Sequence, residues 1–169
     1  WLTIAQGRSH CPSCKKMLAW YDLIPLFSFL ALWGKCRYCQ KPISFQYPLV
    51  ELATGLLLAA GYSLVFGASL TLTAAVTAFA LFTVAVGAMV VIFCHDSYEM
   101  MIPDSLSYIL LVASLGFGWL FTGDLLSTLY GGLVGVLPIA LLVYPSGGKW
   151  MGEGDVKLAA ALGFLVGYP

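Results

Sequence analysis

The chain has 169 residues, of which 60% are apolar and only 9% are charged. Soluble domains carry about 25% charged residues, so this composition excludes an ordinary soluble domain and favours a membrane protein. The formal net charge is zero, which argues against a nucleic-acid partner because phosphate binding needs a surplus of Lys and Arg.

The first 48 residues differ in composition from the rest and are predicted to form a separate domain, the tetracysteine module (residues 1–48). They hold six of the eight basic residues and four of the five cysteines, arranged as Cys11-x2-Cys14 and Cys36-x2-Cys39. Two such pairs on tight turns typically bind one tetrahedral Zn²⁺. We therefore predict a structural zinc, because a closed four-thiolate site has no open position for a reacting water. The alternatives are two disulfides or unpaired thiols.

Apolar segments fill the remainder, and their lengths are informative because about 20 helical residues cross the hydrocarbon core. The predicted spans are 49–66, 70–94, 105–122, 125–144 and an incomplete one from 156. Residues 49–169 are thus predicted to be an all-α transmembrane bundle that continues beyond this chain. The apolar stretch 23–33 is too short to span and is predicted to be a hairpin or interfacial part of the tetracysteine module. No internal repeat is evident.

Alternation of the spans predicts the topology. Residues 1–48, 95–104 and 145–157 fall on one side of the bilayer, and the short connections 67–69 and 123–124 fall on the other. All eight Lys and Arg lie on the first side, which the positive-inside rule identifies as the cytoplasm. Thiols stay reduced in that compartment, so zinc is favoured over disulfides.

Acidic residues cluster at two predicted span boundaries on this same side. They are Asp96, Glu99 and Asp104 in one segment, and Glu153 and Asp155 in the other. Two nearby carboxylates share a proton, so one is able to take a proton from water while the other polarises a peptide carbonyl. Acids at a membrane boundary are costly and indicate function. We predict that Asp96 and Asp155 form such a pair; the alternative for Asp155 is an N-terminal helix acid favoured by the dipole.

Four further residues are predicted to support this pair. Gly152 and Gly154 permit unusual backbone conformations and leave room for an extended substrate backbone. Asp104 is expected mainly to begin the third span as a helix N-terminal acid. Lys157 follows two residues after Asp155 in the same motif.

Several motifs, in order, resemble those of the bacterial type IV prepilin peptidases, also called leader peptidase/N-methyltransferases. They occupy residues 7–14, 23–28, 34–39, 42–51, 96–104 and 152–158. The resemblance implies an aspartic membrane protease that removes the short basic leader of prepilins and pseudopilins on the cytoplasmic side of the bacterial inner membrane. It also implies methylation of the new N-terminus with S-adenosylmethionine. By position, the catalytic aspartates fall on Asp96 and Asp155, and the zinc ligands fall on the four paired cysteines.

The chain departs from the family pattern at His95, where Ile is common, and at Gln46, where Arg is usual. Gln46 lies near the cysteines, so this change is expected to affect methylation more than cleavage. Two other functions are consistent with parts of the pattern: a non-catalytic assembly factor that docks partners through its zinc module, and a related GxGD intramembrane protease with other substrates. The tetracysteine module argues against the second. Neither the pilin substrate nor the oligomeric state follows from the sequence.

Overall fold

The structure is a computed structural model that describes residues 9–11, 13–148 and 150–167, with the backbone alone for Leu23 and Pro25. In this part of the chain there is no strand, and the helices are a 3-10 helix at Trp20–Leu23, α1 Pro25–Ala31, α2 Gln46–Gly67, α3 Leu72–Glu99, α4 Asp104–Thr122, α5 Leu125–Ser146 and α6 Glu153–Val166. Four of them, α2 to α5, are long and apolar enough to cross a bilayer. The predicted all-α polytopic membrane fold is confirmed.

Two helix ends lie further into the polar segments than the apolar pattern predicts. Helix α3 continues one turn past the last apolar residues, to Glu99, and ends where Met100 takes a left-handed φ of 52° and donates its N–H to the Asp96 carbonyl at 2.9 Å. Helix α6 begins at Glu153. Asp96 and Asp155 therefore lie in the last turn and the first turn of helices, whereas the predicted spans ended at residue 94 and began at residue 156. Hydropathy marks where the apolar core ends, whereas capping decides where a helix ends.

The chain divides into two compact units, residues 1–55 and 56–169. In the second unit, α4 packs against α3 and α6, and α5 packs against α6. Helices α3, α4 and α6 share a core formed by Ala85, Ala88, Ile92, Leu110, Ala113 and Ala161. Nearer the other end of α3 and α4, a second core contains Val65, Ala75, Ala78 and Phe117. Alanines make up four of the six residues in the first core and two of the four in the second, as expected for helices that pack closely in lipid.

Helix α6 makes its closest approach to α5 at a pair of glycines. A Cβ added to Gly163 would lie 2.4 Å from the carbonyl oxygen of Gly131, and one added to Gly131 would lie 2.6 Å from the carbonyl oxygen of Gly163. Only glycine leaves room for this approach. Helix α6 is thereby held against both α4 and α5, which fixes the position of the helix that carries Asp155.

In the first unit, two turns repeat the same backbone hydrogen bonds. In the first turn, the N–H of Cys11 donates to the carbonyl of Lys16, and the carbonyl of Cys11 accepts from the N–H of Lys15. In the second turn, Cys36 makes the same two bonds, to the carbonyl of Lys41 and from the N–H of Gln40. The residue four positions after the first cysteine, Lys15 or Gln40, has a left-handed φ of 54° or 56°. This local repeat was not evident in the sequence because it consists of backbone conformation. It presents both cysteine pairs in the same way.

Candidate active site and metal centre

Four cysteine thiols meet in the first unit. One Sγ atom from each of Cys11, Cys14, Cys36 and Cys39 lies within 4.8 Å of the others, and the Sγ atoms of Cys11 and Cys39 are 3.9 Å apart. A zinc ion bound tetrahedrally at about 2.3 Å from each sulfur sets its ligands about 3.8 Å apart. All five cysteines are described and none forms a disulfide. The residues therefore fit a structural metal ion of the predicted kind.

The electrostatics of the cluster also favour a cation. Hydrogen bonds from the backbone N–H groups of Cys14 and Ser13 lower the pKa of the Cys11 thiol to about 6. At Cys39 the backbone N–H of Lys41 acts in the same direction, but burial and the three neighbouring thiols outweigh it and raise the pKa to about 11. Thiolates in so small a volume repel one another. A bound divalent cation would offset that repulsion and hold all four deprotonated.

Asp22 organises the module around the metal ligands, a role that was not predicted from the sequence. Its side chain is buried and accepts hydrogen bonds from Arg37 Nε at 2.8 Å, from the Tyr38 hydroxyl at 3.2 Å and from the backbone N–H of Ala19 at 3.2 Å. Arg37 and Tyr38 are the two residues between Cys36 and Cys39. The signal in the sequence was that Asp22 is the lone acid among the first 48 residues.

Asp96 lies on α3 at the end of the second unit where α3 finishes and α4 begins. The residue is exposed, and its backbone carbonyl accepts the hydrogen bond that ends the helix. Its neighbour His95 turns toward the following loop: His95 Nδ1 is 2.9 Å from the carbonyl oxygen of Met101, and Nε2 is 3.3 Å from Glu99 Oε2. The side chain of His95 thus joins the last turn of α3 to the loop, as a polar residue with partners on both ring nitrogens.

Asp155 is the third residue of α6 and is half-buried. Its Oδ2 atom accepts a hydrogen bond from the backbone N–H of Gly152 at 3.0 Å. This bond satisfies a donor at the helix start, and a negative charge in the first turn is favoured by the helix dipole. The structural role considered for Asp155 is therefore present. Only the Oδ2 atom of Asp155 accepts this capping hydrogen bond; Oδ1 takes no part in it.

Two contacts join the segment after Asp96 to the segment around Asp155. A Cβ added to Gly154 would lie 2.9 Å from Ile102 Cβ, so α6 begins directly against the loop between α3 and α4. The ammonium of Lys157 donates to Asp104 Oδ1. These contacts put the C-terminal end of α3 and the N-terminal ends of α4 and α6 at one end of the second unit. Among the supporting residues predicted, Gly154, Asp104 and Lys157 make the junction.

Residues 1–65 match the bacterial peptidase A24 N-terminal domain, and residues 83–169 match the type IV leader peptidase family. The second match covers the C-terminal part of α3 and the whole of α4, α5 and α6. No solved structure matches the chain.

Relatives similar in sequence carry the name prepilin leader peptidase/N-methyltransferase. The one from Klebsiella pneumoniae is 36% identical over 165 residues, which cover 95% of this chain and 69% of the relative. That of Aeromonas hydrophila is 37% identical, covering 95% of this chain and 54% of the relative. The relative from Bacillus subtilis is 37% identical, and the match covers 98% of this chain and 64% of the relative. The suspected resemblance is confirmed: this multi-pass membrane protein belongs to the type IV leader peptidase family.

Proposed function

We propose that the protein is a membrane aspartic endopeptidase that removes the leader of type IV prepilins or pseudopilins, with Asp96 and Asp155 as its catalytic pair. Family membership and the names of the relatives support the reaction. The observation that carries the assignment of the pair is the junction of Ile102 with Gly154 and of Asp104 with Lys157. It joins the loop that follows the Asp96 end of α3, and the start of α4, to the start of α6, which bears Asp155.

In the proposed reaction, one carboxylate takes a proton from a water molecule as that water attacks the scissile carbonyl carbon. The other carboxyl group donates its proton to the carbonyl oxygen, which gives a tetrahedral intermediate. Collapse of this intermediate breaks the C–N bond as the proton first taken from water passes to the leaving nitrogen. One of the two hydroxyl groups of the intermediate returns its proton to the other carboxylate, which restores the pair. The roles belong to the pair, because coupled carboxyl groups titrate as a unit.

We propose that the reaction takes place on the cytoplasmic side of the inner membrane, where the positive-inside rule puts the basic segments. The bilayer would hold the apolar stem of the pilin beside the two helix ends, so positioning would contribute much of the rate. In this scheme residues 49–169 provide the peptidase domain, and residues 1–48, with their metal ion, form a separate domain on the same side.

N-methylation of the new N-terminus is a second proposed activity, supported by the name of the relatives. S-adenosylmethionine would supply the methyl group. A groove of about 550 Å³ between α5 and α6 is lined by Gly131, Val134, Gly135, Ala159, Leu162, Gly163, Val166 and Gly167. It has no side-chain donor or acceptor for a charged cofactor, so we derive no step of methyl transfer from it.

Cleavage of a purified prepilin by the full-length protein in proteoliposomes tests the peptidase. We expect Asp96→Asn and Asp155→Asn each to abolish removal of the leader, read as the mass of the product. Asparagine keeps a carbonyl oxygen able to cap α6, so the Asp155→Asn variant should remain folded. Parallel reactions with S-adenosylmethionine report methylation separately, as a gain in mass of one methyl group.

Two acids provide matched controls. Glu99→Gln alters a carboxylate one turn from Asp96, and Asp124→Asn alters the acid that caps α5 by accepting from the N–H groups of Leu126 and Ser127. Both variants should retain cleavage. Cleavage by either Asp96→Asn or Asp155→Asn would overturn the assignment. A full-length protein that never cleaves would instead favour the non-catalytic assembly factor.

A further inference from the structure

An exposed row of large apolar side chains lies on the first unit. Ile24, Phe27, Leu30 and Trp33, here called the apolar strip, recur at every third position along α1 and the turn after it. Phe27 is 78% exposed, Leu30 71% and Trp33 89%. Single exposed apolar residues are common, but a contiguous row of them marks a binding surface. We therefore expect another molecule or a membrane to cover the apolar strip.

The strip belongs to the same compact unit as the start of a transmembrane helix. The rings of Phe29, on α1, and Phe45, the residue before α2, are 5.9 Å apart. The N–H of Ile43 donates to the carbonyl of Gly34 at 2.7 Å, and a Cβ at Gly34 would touch the Phe29 ring at 3.0 Å. Helix α1, the turn after it and the residues that immediately precede α2 are thus linked. Because α2 is long and apolar enough to cross a bilayer, these contacts hold α1 close to the N-terminal end of a membrane-spanning helix.

The charge of this unit identifies the kind of surface. Lys15, Lys16, Lys35 and Lys41 are exposed, whereas the carboxylate of Asp22 is buried against Arg37. A small unit that carries exposed lysines together with exposed Trp, Phe and Leu has the composition of a segment that lies in the interface of an anionic bilayer. A basic peptide, such as the leader implied by the family resemblance, would be repelled by the same lysines.

We propose that the apolar strip inserts into the interfacial layer of an anionic phospholipid bilayer and holds the tetracysteine module on the membrane surface. Trp33 lies at the end of the strip, has a left-handed φ of 53°, a strained conformation for a bulky residue, and is exposed. Aromatic residues of this kind favour the headgroup region. The proposal does not depend on the peptidase reaction.

Fluorescence of the full-length protein tests this proposal. A variant that keeps Trp33 as its only tryptophan is reconstituted in vesicles of phosphatidylcholine and phosphatidylglycerol. We expect brominated lipids to quench Trp33, and iodide in the water to quench it several-fold less than it quenches the control. The matched control replaces Trp33 by Phe and carries Ser13→Trp, at an exposed position on the first cysteine turn. Lipid quenching of Trp33 should fall when phosphatidylglycerol is omitted.

A second variant separates insertion from folding. Phe27→Glu with Leu30→Glu, in the Trp33-only protein, should retain bound zinc but lose quenching by brominated lipids. Three results would overturn the proposal. The first is that iodide quenches Trp33 and the control tryptophan equally. The second is that Trp33 is protected from iodide but is not quenched by brominated lipids. The third is that quenching by brominated lipids does not change when phosphatidylglycerol is omitted. The second result would mean that protein covers the strip, either another segment of the chain or a second copy.

Discussion

Lys157 on α6 donates a hydrogen bond to the carboxylate of Asp104 on α4, although 53 residues separate them in the sequence. The Lys157 ammonium also lies 5.1 Å from the centroid of the Tyr108 ring, one turn further along α4. The Asp104 side chain is 72% exposed, and exposed ion pairs add little to stability. The value of this pair is therefore in position: it sets α6, and with it Asp155, against the start of α4.

Breaking this ion pair should reduce catalysis more than stability. We expect Lys157→Met and Asp104→Asn each to slow leader cleavage by about 10- to 100-fold, since small misplacements of a reacting group have effects of that order. The loss should fall on kcat rather than KM, with little change in thermal midpoint. Steady-state kinetics on a purified prepilin measure both constants.

The charge-reversed double variant provides the control for the ion pair. Asp104→Lys combined with Lys157→Asp restores an attraction between α4 and α6, so it should recover part of the lost kcat. If the reversed pair were no more active than the single variants, charge pairing would not be the reason for their effect.

The two glycines of the GEGD sequence should respond differently to alanine. Gly154→Ala puts a methyl group 2.9 Å from Ile102 Cβ, whereas a Cβ at Gly152 meets nothing closer than 3.9 Å. Overpacking costs about 1–3 kcal/mol, of which up to about 1 kcal/mol is regained from the better helix propensity of alanine. We expect Gly154→Ala to lower both the thermal midpoint and the cleavage rate, and Gly152→Ala to change neither by much. Equal behaviour of the two variants would contradict the packing of α6 on the loop.

Metal analysis tests the tetracysteine site. The full-length protein should carry about one zinc per chain, and Cys36→Ser should lose it because three thiolates and a hydroxyl bind zinc far more weakly. Cys94→Ser is the matched control, since Cys94 lies on α3 outside the cluster and should leave the zinc content unchanged. A zinc-free protein that is folded and resists chelators would refute the structural metal.

Asp22 gives a prediction with a defined dependence on pH. Burial raises the pKa of the Asp22 carboxyl, but hydrogen bonds from Arg37, from the Ala19 N–H and from Tyr38 outweigh burial and hold the pKa below its usual value. A group whose pKa is depressed on folding stabilises the protein above its unfolded pKa, about 3.9, and loses this contribution as the pH falls through the folded value. Asp22→Asn should therefore destabilise the module at neutral pH, by about 1–3 kcal/mol.

Zinc release on heating of the full-length protein measures this effect. The difference in zinc-release temperature between the unchanged protein and Asp22→Asn should have its full size above roughly pH 5 and should decrease as the pH falls below roughly pH 4. Asp124→Asn, which alters an acid in the second unit, is the control and should not affect zinc release. A difference of constant size across this range would show that the charge of Asp22 is not what stabilises the module.

The sequence by itself determined the class of this protein. Length and hydropathy are local properties, so they located α2 to α5 to within a few residues, and the spacing of Cys11, Cys14, Cys36 and Cys39 was sufficient to predict the metal cluster. The same local signals misplaced the ends of α3 and α6, because a helix can continue through polar residues until a cap ends it. Asp96 and Asp155 were predicted to lie at span boundaries, and in the structure they lie in the last turn of α3 and the first turn of α6.

Only the tertiary structure decided which of these boundaries touch and through which atoms. The contact of Gly154 with Ile102, the bond from Lys157 to Asp104 and the approach of Gly131 to Gly163 join residues far apart in the chain. In an apolar chain almost every helix face is compatible with lipid, so hydropathy does not specify which face packs against protein. That choice depends on the shapes of small side chains and on single polar pairs, which act only once the helices are assembled.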